Sequence, residues 1–511
     1  MVAKKVGRRR RGERSSDGAT CRCHPLVIIF SLVGLAIVIS LSGLVALSRN
    51  QSAAAAAPTV VSTQEVLPPP VAVSALESAD ANNAAIAVKE SNGENNVDHS
   101  KYQVTFSTDC GDYQRWQAYL VFYSAMMVKQ PGYVTRIASS CTDEEAEAEQ
   151  QWFDKHVKPM SSRFRLHLTP HFSNVKGENG EETGKSYDFF NKPFGMQHWM
   201  EHGEGMGVDL ATGKVLNEDA IVILLDPDHI LLRPLTEDFS DPAHLFRADM
   251  GNRKVTHGHP FAQEYGYGAD WLRKGVEVSE EDSPARKISQ QEAADYYPAG
   301  PPYLATGRDF YLIAKKWTEY VPKVHKVYPH LLAEMYAYSL AAAHVELPHQ
   351  MVRSLMMSDT GNQREGWDVV GDLSLKDACQ LGFDIRKTDR ALPGVMHFCQ
   401  RYMIGKHFFG KRRLPKDFLT CDKSLLYEAP PDVGAKYDYK TPPPPHKPPG
   451  EKKPLNQMQQ RRESLALCIV TRTLNDAATF WKQNACEEGK ANLNKTLDLW
   501  SVQEMHTSSG R

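Results

Sequence analysis

The 511-residue chain has almost no net charge: 60 Lys and Arg stand against 62 Asp and Glu, a formal balance of −2. No global positive field is available to gather a phosphate backbone, which argues against nucleic acid as a partner. None of its nine cysteines falls in a Cys-x-x-Cys spacing, so the common zinc-ribbon and thioredoxin motifs are excluded. No internal repeat is present, which excludes a solenoid or propeller. Residues 51–100 contain no aromatic side chain. A stretch of Ala, Val, Pro, Asn and Ser cannot bury enough apolar surface to fold, so residues 48–100 read as a disordered stem.

Residues 26–47 lack charge altogether. An apolar run of roughly 20 residues can cross a ~30 Å hydrocarbon core as one helix. Lys4, Lys5, Arg8, Arg9, Arg10, Arg11, Arg14 and Arg22 precede it. That asymmetry predicts a cytosolic tail over 1–25 and a lumenal bulk, a single-pass type II arrangement. Cys21 and Cys23 suit palmitoylation beside the membrane. Seven cysteines follow the span. In an oxidising lumen some should pair, and the odd count leaves at least one over. Their connectivity stays open. Asn50 and Asn494 open glycosylation sequons.

The rest is organised around residues 220–234, Ala-Ile-Val-Ile-Leu-Leu-Asp-Pro-Asp-His-Ile-Leu-Leu-Arg-Pro. The unbroken aliphatic half predicts a strand buried on both faces. It stops at Asp226-Pro227-Asp228-His229, where proline ends the ladder. Two carboxylates at the carboxyl end of such a strand make a hard-oxygen site for a divalent cation carrying phosphates. The plain alternative is a polar turn after a core strand.

Around this strand the pattern alternates. Residues 103–108 and 133–139 read as strands, 163–170 as a third, with an amphipathic helix over 116–127 and an acidic helix start over 144–149. Pro193 marks a helix start within 191–199. The expected fold is therefore α/β, one folded domain over 101–428 whose first part, up to the acidic pair, is a Rossmann-like nucleotide-binding half. Further on, 261–271 reads as a substrate-facing or structural loop, 300–309 as a turn into a helix over 309–320, and 334–345 as a helix. Residues 392–402 hold a short strand ending at His397. A Pro/Lys-rich linker over 429–455 and a helical tail over 456–511 complete the chain.

Asp226 and Asp228 are the expected cation ligands and catalytic acids, with His397 as the distant third ligand. His229 either adds a ligand or orients the turn. Arg401, Lys406, Lys411, Arg412 and Arg413 follow His397 closely and could neutralise a leaving diphosphate. Glu334, opening its helix, is the expected polar catalytic group; Asp295 and Asp309 are weaker choices. Each has a plain reading beside the chemical one: a core histidine, a solvated basic face, a carboxylate complementing a helix dipole.

Several blocks in order carry a family resemblance. They are Val104-Thr-Phe-Ser-Thr108-Asp109 with Trp116-Gln117, Asn191-Lys192-Pro-Phe with Gln197 and Trp199, and Asp226-Pro-Asp-His-Ile. Then come 299–309, Ala-Gly-Pro-Pro-Tyr-Leu-Ala-Thr-Gly-Arg-Asp, Glu334-Met-Tyr-Ala-Tyr-Ser, and Met396-His397. Over about 103–427 the chain resembles the plant and algal hydroxyproline O-arabinosyltransferases, with the peptidyl serine α-galactosyltransferases as neighbours. The resemblance implies a GT-A fold, a Golgi type II anchor, a UDP-sugar donor and a divalent cation, usually manganese. It also implies a secreted hydroxyproline-rich acceptor. It assigns Thr108, Asp109, Asn191, Lys192, Gln197 and Trp199 to substrate binding, and the basic run after His397 adds Arg401 to that set. The arabinosyltransferases tend to have Glu-Pro-Asp-His where this chain has Asp226-Pro-Asp-His, and the galactosyltransferases Asp-Ala-Asp. The expected activity is transfer of L-arabinofuranose to peptidyl hydroxyproline. The alternatives are galactose transfer to serine and, in another class, a membrane-tethered lectin-like scaffold.

Overall fold

The computed structural model describes residues 98–176, 182–443 and 450–502. The predicted membrane span, Cys21, Cys23, Asn50 and the stem up to residue 97 lie outside them, while His99–Lys101, at the predicted end of the stem, forms a short helical turn capped by Asp98. Among the described residues no helix is long and apolar enough to cross a membrane.

The described chain lies in one compact unit, Ser91–Arg511. Its main strands are β1 (Tyr102–Asp109), β2 (Tyr133–Ser139), β3 (Phe164–Leu168), β4 (Ile221–Leu225), β5 (His229–Leu231), β6 (Phe261–Glu264), β7 (Ala299–Thr306), β8 (Gln350–Val352), β9 (Met356–Met357) and β10 (Val395–His397). The principal helices are α1 (Asp112–Met127), α2 (Asp143–His156), α3 (Asn191–His202), α4 (Gly307–Val327), α5 (Ala333–His344), α6 (Asp377–Phe383) and α7 (Gln457–Ala485). Seven strands form one sheet in the order β8-β6-β7-β4-β1-β2-β3. The run β4-β1-β2-β3 is parallel, and β7 lies antiparallel between β4 and β6.

The central strand behaves as its composition requires. Ile221, Ile223 and Leu225 join the core cluster that includes α1 and α7. Val222 and Leu224 join the second cluster, with α3, α4 and α5. A strand buried on both faces has no use for alternation. From β1 the chain moves outward to β2 and β3, then returns through α3 to β4 on the other side of β1. Such a reversal opens a crevice at the carboxyl ends of the two central strands. Asp109 closes β1 there and Asp226 follows β4.

A second, three-stranded sheet, β9-β10-β5, frames that crevice. Antiparallel pairing of β10 with β5 sets His397 directly opposite His229, which is how a residue 168 positions away reaches the acid pair. Three disulfides brace the unit: Cys110–Cys141, Cys379–Cys468 and Cys421–Cys486. The first ties the loops leaving β1 and β2. Cys399 is the free cysteine among the described residues.

Four expectations need correction. Residues 300–309 do not form a turn: Ala299–Thr306 is a fully buried strand. Its ladder to β6 runs Gln263 to Gly300 and then Ala262 to Tyr303, so Pro301 and Pro302 sit in a bulge. The ladder to β4 begins only at Tyr303. Prolines without donors are tolerated in that position. The 261–271 stretch opens with strand β6 before its loop. The Pro/Lys segment is no free spacer, since Tyr439–Lys440 pairs with Lys453–Pro454 and Val433 is buried. Nor is the tail an appendage: α7 buries Leu465, Cys468 and Ile469 in the core and ends at Ala485, after which Lys495–Leu497 pairs with Leu425–Leu426.

Candidate active site

The crevice holds two carboxylates, Asp228 buried and Asp226 half-buried, each paired with a lysine. Asp226 Oδ1 is 2.7 Å from Lys192 Nζ, whose other carboxylate neighbour is Glu334 at 3.5 Å. Asp228 Oδ2 accepts from Lys411 Nζ at 2.5 Å, and its Oδ1 lies 3.2 Å from His397 Nε2. Lys192 comes from the first turn of α3, Glu334 from the first turn of α5, and Lys411 from the short helical turn Lys411–Arg413. Four segments far apart in sequence thus converge on Asp226-Pro-Asp-His.

Burial sets the electrostatics, and the pairs modify it. Burial alone would raise the Asp226 carboxyl, but Lys192 brings it below the ordinary carboxylate value. Lys411 and His397 do the same to Asp228 more strongly. Both lysines are held charged, with values raised against their burial by Asp226 and Asp228. Burial pushes His229 down to about 3, helped by the neighbouring His397. His397 is raised well above its ordinary value despite burial, by the Cys399 thiol and the Asp228 carboxylate. Glu334 is buried and pushed up to about 7 by desolvation, which Lys192 only partly offsets.

A divalent cation fits these residues on their own chemistry. Ligating atoms of Asp226, His229 and His397 lie within 4.8 Å of one another. Both ring nitrogens of His229 and Nδ1 of His397 are buried without a hydrogen-bond partner, a costly condition that a cation would relieve in part by taking the one lone pair of neutral His229 and replacing the proton on His397. One carboxylate and two imidazoles suit manganese, iron or zinc. Asp228, expected as a ligand, instead spends both oxygens on Lys411 and His397.

Not every expected binding residue is here. Trp199 is fully buried in the core behind the sheet. Gln197 bonds Glu201 and Thr318, toward α4. Thr108 Oγ1 accepts from Arg136 Nε at 2.9 Å. Asn191 Oδ1 accepts from Ser140 and Ser173 and so fastens loops. Arg401 is exposed, and Lys411, from the same basic run, pairs with Asp228. Asp109 does stand at the crevice, its carboxyl raised by burial and bonded to the Gly111 amide. Asp295 pairs with Arg247, and Asp309 accepts from the Gly258 amide.

Two features escaped sequence reasoning. Arg136 and Glu149 form a wholly buried ion pair, 2.6 Å, that also holds the Asp109 carbonyl and fixes the end of β1. Nothing in the alternating β2 pattern marks a buried arginine. Tyr265, just after β6, has its hydroxyl value raised by burial and by the charges of Asp226 and Asp228. Its aromatic, glycine-rich stretch was the available signal.

The chain resembles a glycosyltransferase. It is 26% identical over 331 residues to the peptidyl serine alpha-galactosyltransferase of Arabidopsis thaliana. The match covers 64% of this chain and 33% of that protein, so the chain spans about a third of its relative's length. No family model matches. Among solved structures, an active-site mutant of LgtC overlaps 58% of this chain and 87% of its own, at 12% identity and a TM-score of 0.31. The glycosyltransferase GlyE of Streptococcus pneumoniae overlaps 59% and 55%, at 11% identity and a TM-score of 0.26. Those scores are too low to assign the fold, which rests on the strand order above.

Proposed function

We propose that the chain is a GT-A-type glycosyltransferase that moves a sugar from a nucleoside diphosphate, UDP, to a hydroxyl of a peptide. One observation carries this: an acid pair at the switch point of a parallel sheet, faced by Lys192, Lys411 and two histidines. The named relative, a peptidyl transferase of galactose, supports the class.

In the reaction the bond from the anomeric carbon to the β-phosphate oxygen breaks and the acceptor oxygen takes its place. Negative charge grows on the departing diphosphate, and fixed cations aimed at it lower the barrier. Lys192 and Lys411 are such cations, held in place by Asp226 and Asp228. A divalent ion, manganese in our reading, held by Asp226, His229 and His397, would supply further charge to the same leaving group. The acceptor hydroxyl must lose a proton. Glu334, at about 7 and with Oε1 unpartnered, is poised to take it near neutral pH.

For the finer specificity the reading is L-arabinofuranose onto hydroxyproline of secreted hydroxyproline-rich proteins. It is carried by the Pro-Asp-His sequence and the ordered blocks of the resemblance. A second reading, galactose onto serine, is favoured by the relative's activity. Full chain, a hydroxyproline- and serine-containing peptide and each UDP-sugar in turn, read by mass spectrometry, separates them. Pentose on hydroxyproline supports the first; hexose on serine replaces it with the second; sugar on neither overturns both.

The basic tail and apolar run support a Golgi type II anchor with the catalytic unit lumenal, and three disulfides suit an oxidising lumen. Protease added to sealed vesicles should leave 98–502 intact; its digestion would overturn that placement.

A further inference from the structure

A cluster of three histidines lies where α3 meets the edge strand β3. His167 stands on β3, while His198 and His202 lie four residues apart on α3, on one helical face. His167 Nε2 is 2.9 Å from His198 Nδ1. The rings of His167 and His198 are 5.1 Å apart between centres, and those of His198 and His202 are 4.6 Å apart. Among the described residues none of the three forms an ion pair with a carboxylate. His198-Trp-Met-Glu201-His202 is also one of the spacings at which helices present two imidazoles to zinc.

A single hydrogen bond between two imidazoles does not account for a third at the next turn. The facing nitrogens of His167 and His198, 2.9 Å apart, share one proton, and a single ion could take its place between them. His202 is exposed and can bring a nitrogen to the pair by side-chain rotation. Glu201 offers no base for hydrolysis, since its Oε1 accepts from Gln197 at 2.9 Å and Tyr311 at 2.8 Å.

We propose that His167, His198 and His202 form a second metal site, separate from the acid pair, for a divalent transition ion of the zinc type. Imidazole nitrogens suit such an ion, with water completing its coordination. The site's role is to hold rather than to react. α3 begins with Asn191 and Lys192 at the candidate active site and ends with His202, so an ion joining its last turn to β3 fixes the helix at both ends.

The test is zinc titration by calorimetry on the full chain carrying Asp226→Asn, which weakens the other candidate site. One equivalent should bind, and cobalt in its place should give visible tetrahedral absorption. Adding His198→Gln or His202→Gln should weaken binding at least about tenfold and remove the zinc-dependent rise in Tm. His202 is exposed, so that variant should keep the circular-dichroism spectrum of its parent. No zinc equivalent in Asp226→Asn, or the same affinity in all three variants, would overturn the proposal.

Discussion

Glu334→Gln should make the protein more stable while impairing transfer. Glu334 is 2% exposed and keeps its proton in the folded state up to about 7, against an ordinary value of 4.5. Between those pH values the unfolded chain has released the proton and the native state still holds it. Native stability therefore falls as pH rises through the window, and the loss is complete above about 7. A gap of about two and a half pH units corresponds to about 3 kcal/mol. Glutamine fills the same space and does not titrate, so the penalty disappears. In urea unfolding followed by tryptophan fluorescence, the variant should match the parent near pH 5 and exceed it by up to about 3 kcal/mol near pH 8. A variant less stable than its parent near pH 8, or a difference that does not change with pH, would refute the reasoning.

Other substitutions separate the roles assigned above. Lys192→Met leaves the half-buried Asp226 without its cation and should cost up to about 3 kcal/mol at neutral pH, less as acid protonates the carboxylates; equal loss at pH 5 and 8 in the same urea assay would contradict it. Asp226→Asn and Asp228→Asn should each abolish sugar transfer while leaving the circular-dichroism spectrum unchanged, and full turnover in either would end the site assignment. Trp199→Ala should cost about 3–5 kcal/mol as a core cavity with KM for the donor unchanged; a raised KM with unchanged stability would return Trp199 to the binding site. Cys421→Ser, opening a link across 65 residues, should lower stability by about 2–4 kcal/mol in non-reducing buffer, and no loss would show the bridge to be dispensable.

The sequence displayed its centre clearly because both signals there are local. An aliphatic run without alternation is a two-face-buried strand, and its abrupt acidic end is visible in four residues. His397 was legible through the short apolar strand before it, although the pairing that sets it opposite His229 was not. β7 was misread because its Pro-Pro and Gly resemble turn chemistry, and only the bulge explains how a central strand accommodates them. Trp199 and Gln197 lie away from the crevice for a different reason. They belong to a helix whose amino end reaches the site, and a block of sequence does not say which of its faces looks inward. The Arg136–Glu149 pair was invisible because burial of a charge depends on a partner 13 residues away across a helix–strand contact.

The most direct measurement is calorimetric titration of UDP into the full chain, with and without manganese, for the parent and for Asp226→Asn. The account predicts manganese-dependent UDP binding by the parent and its loss in the variant. No UDP binding, or binding that is indifferent to both manganese and the substitution, would contradict it.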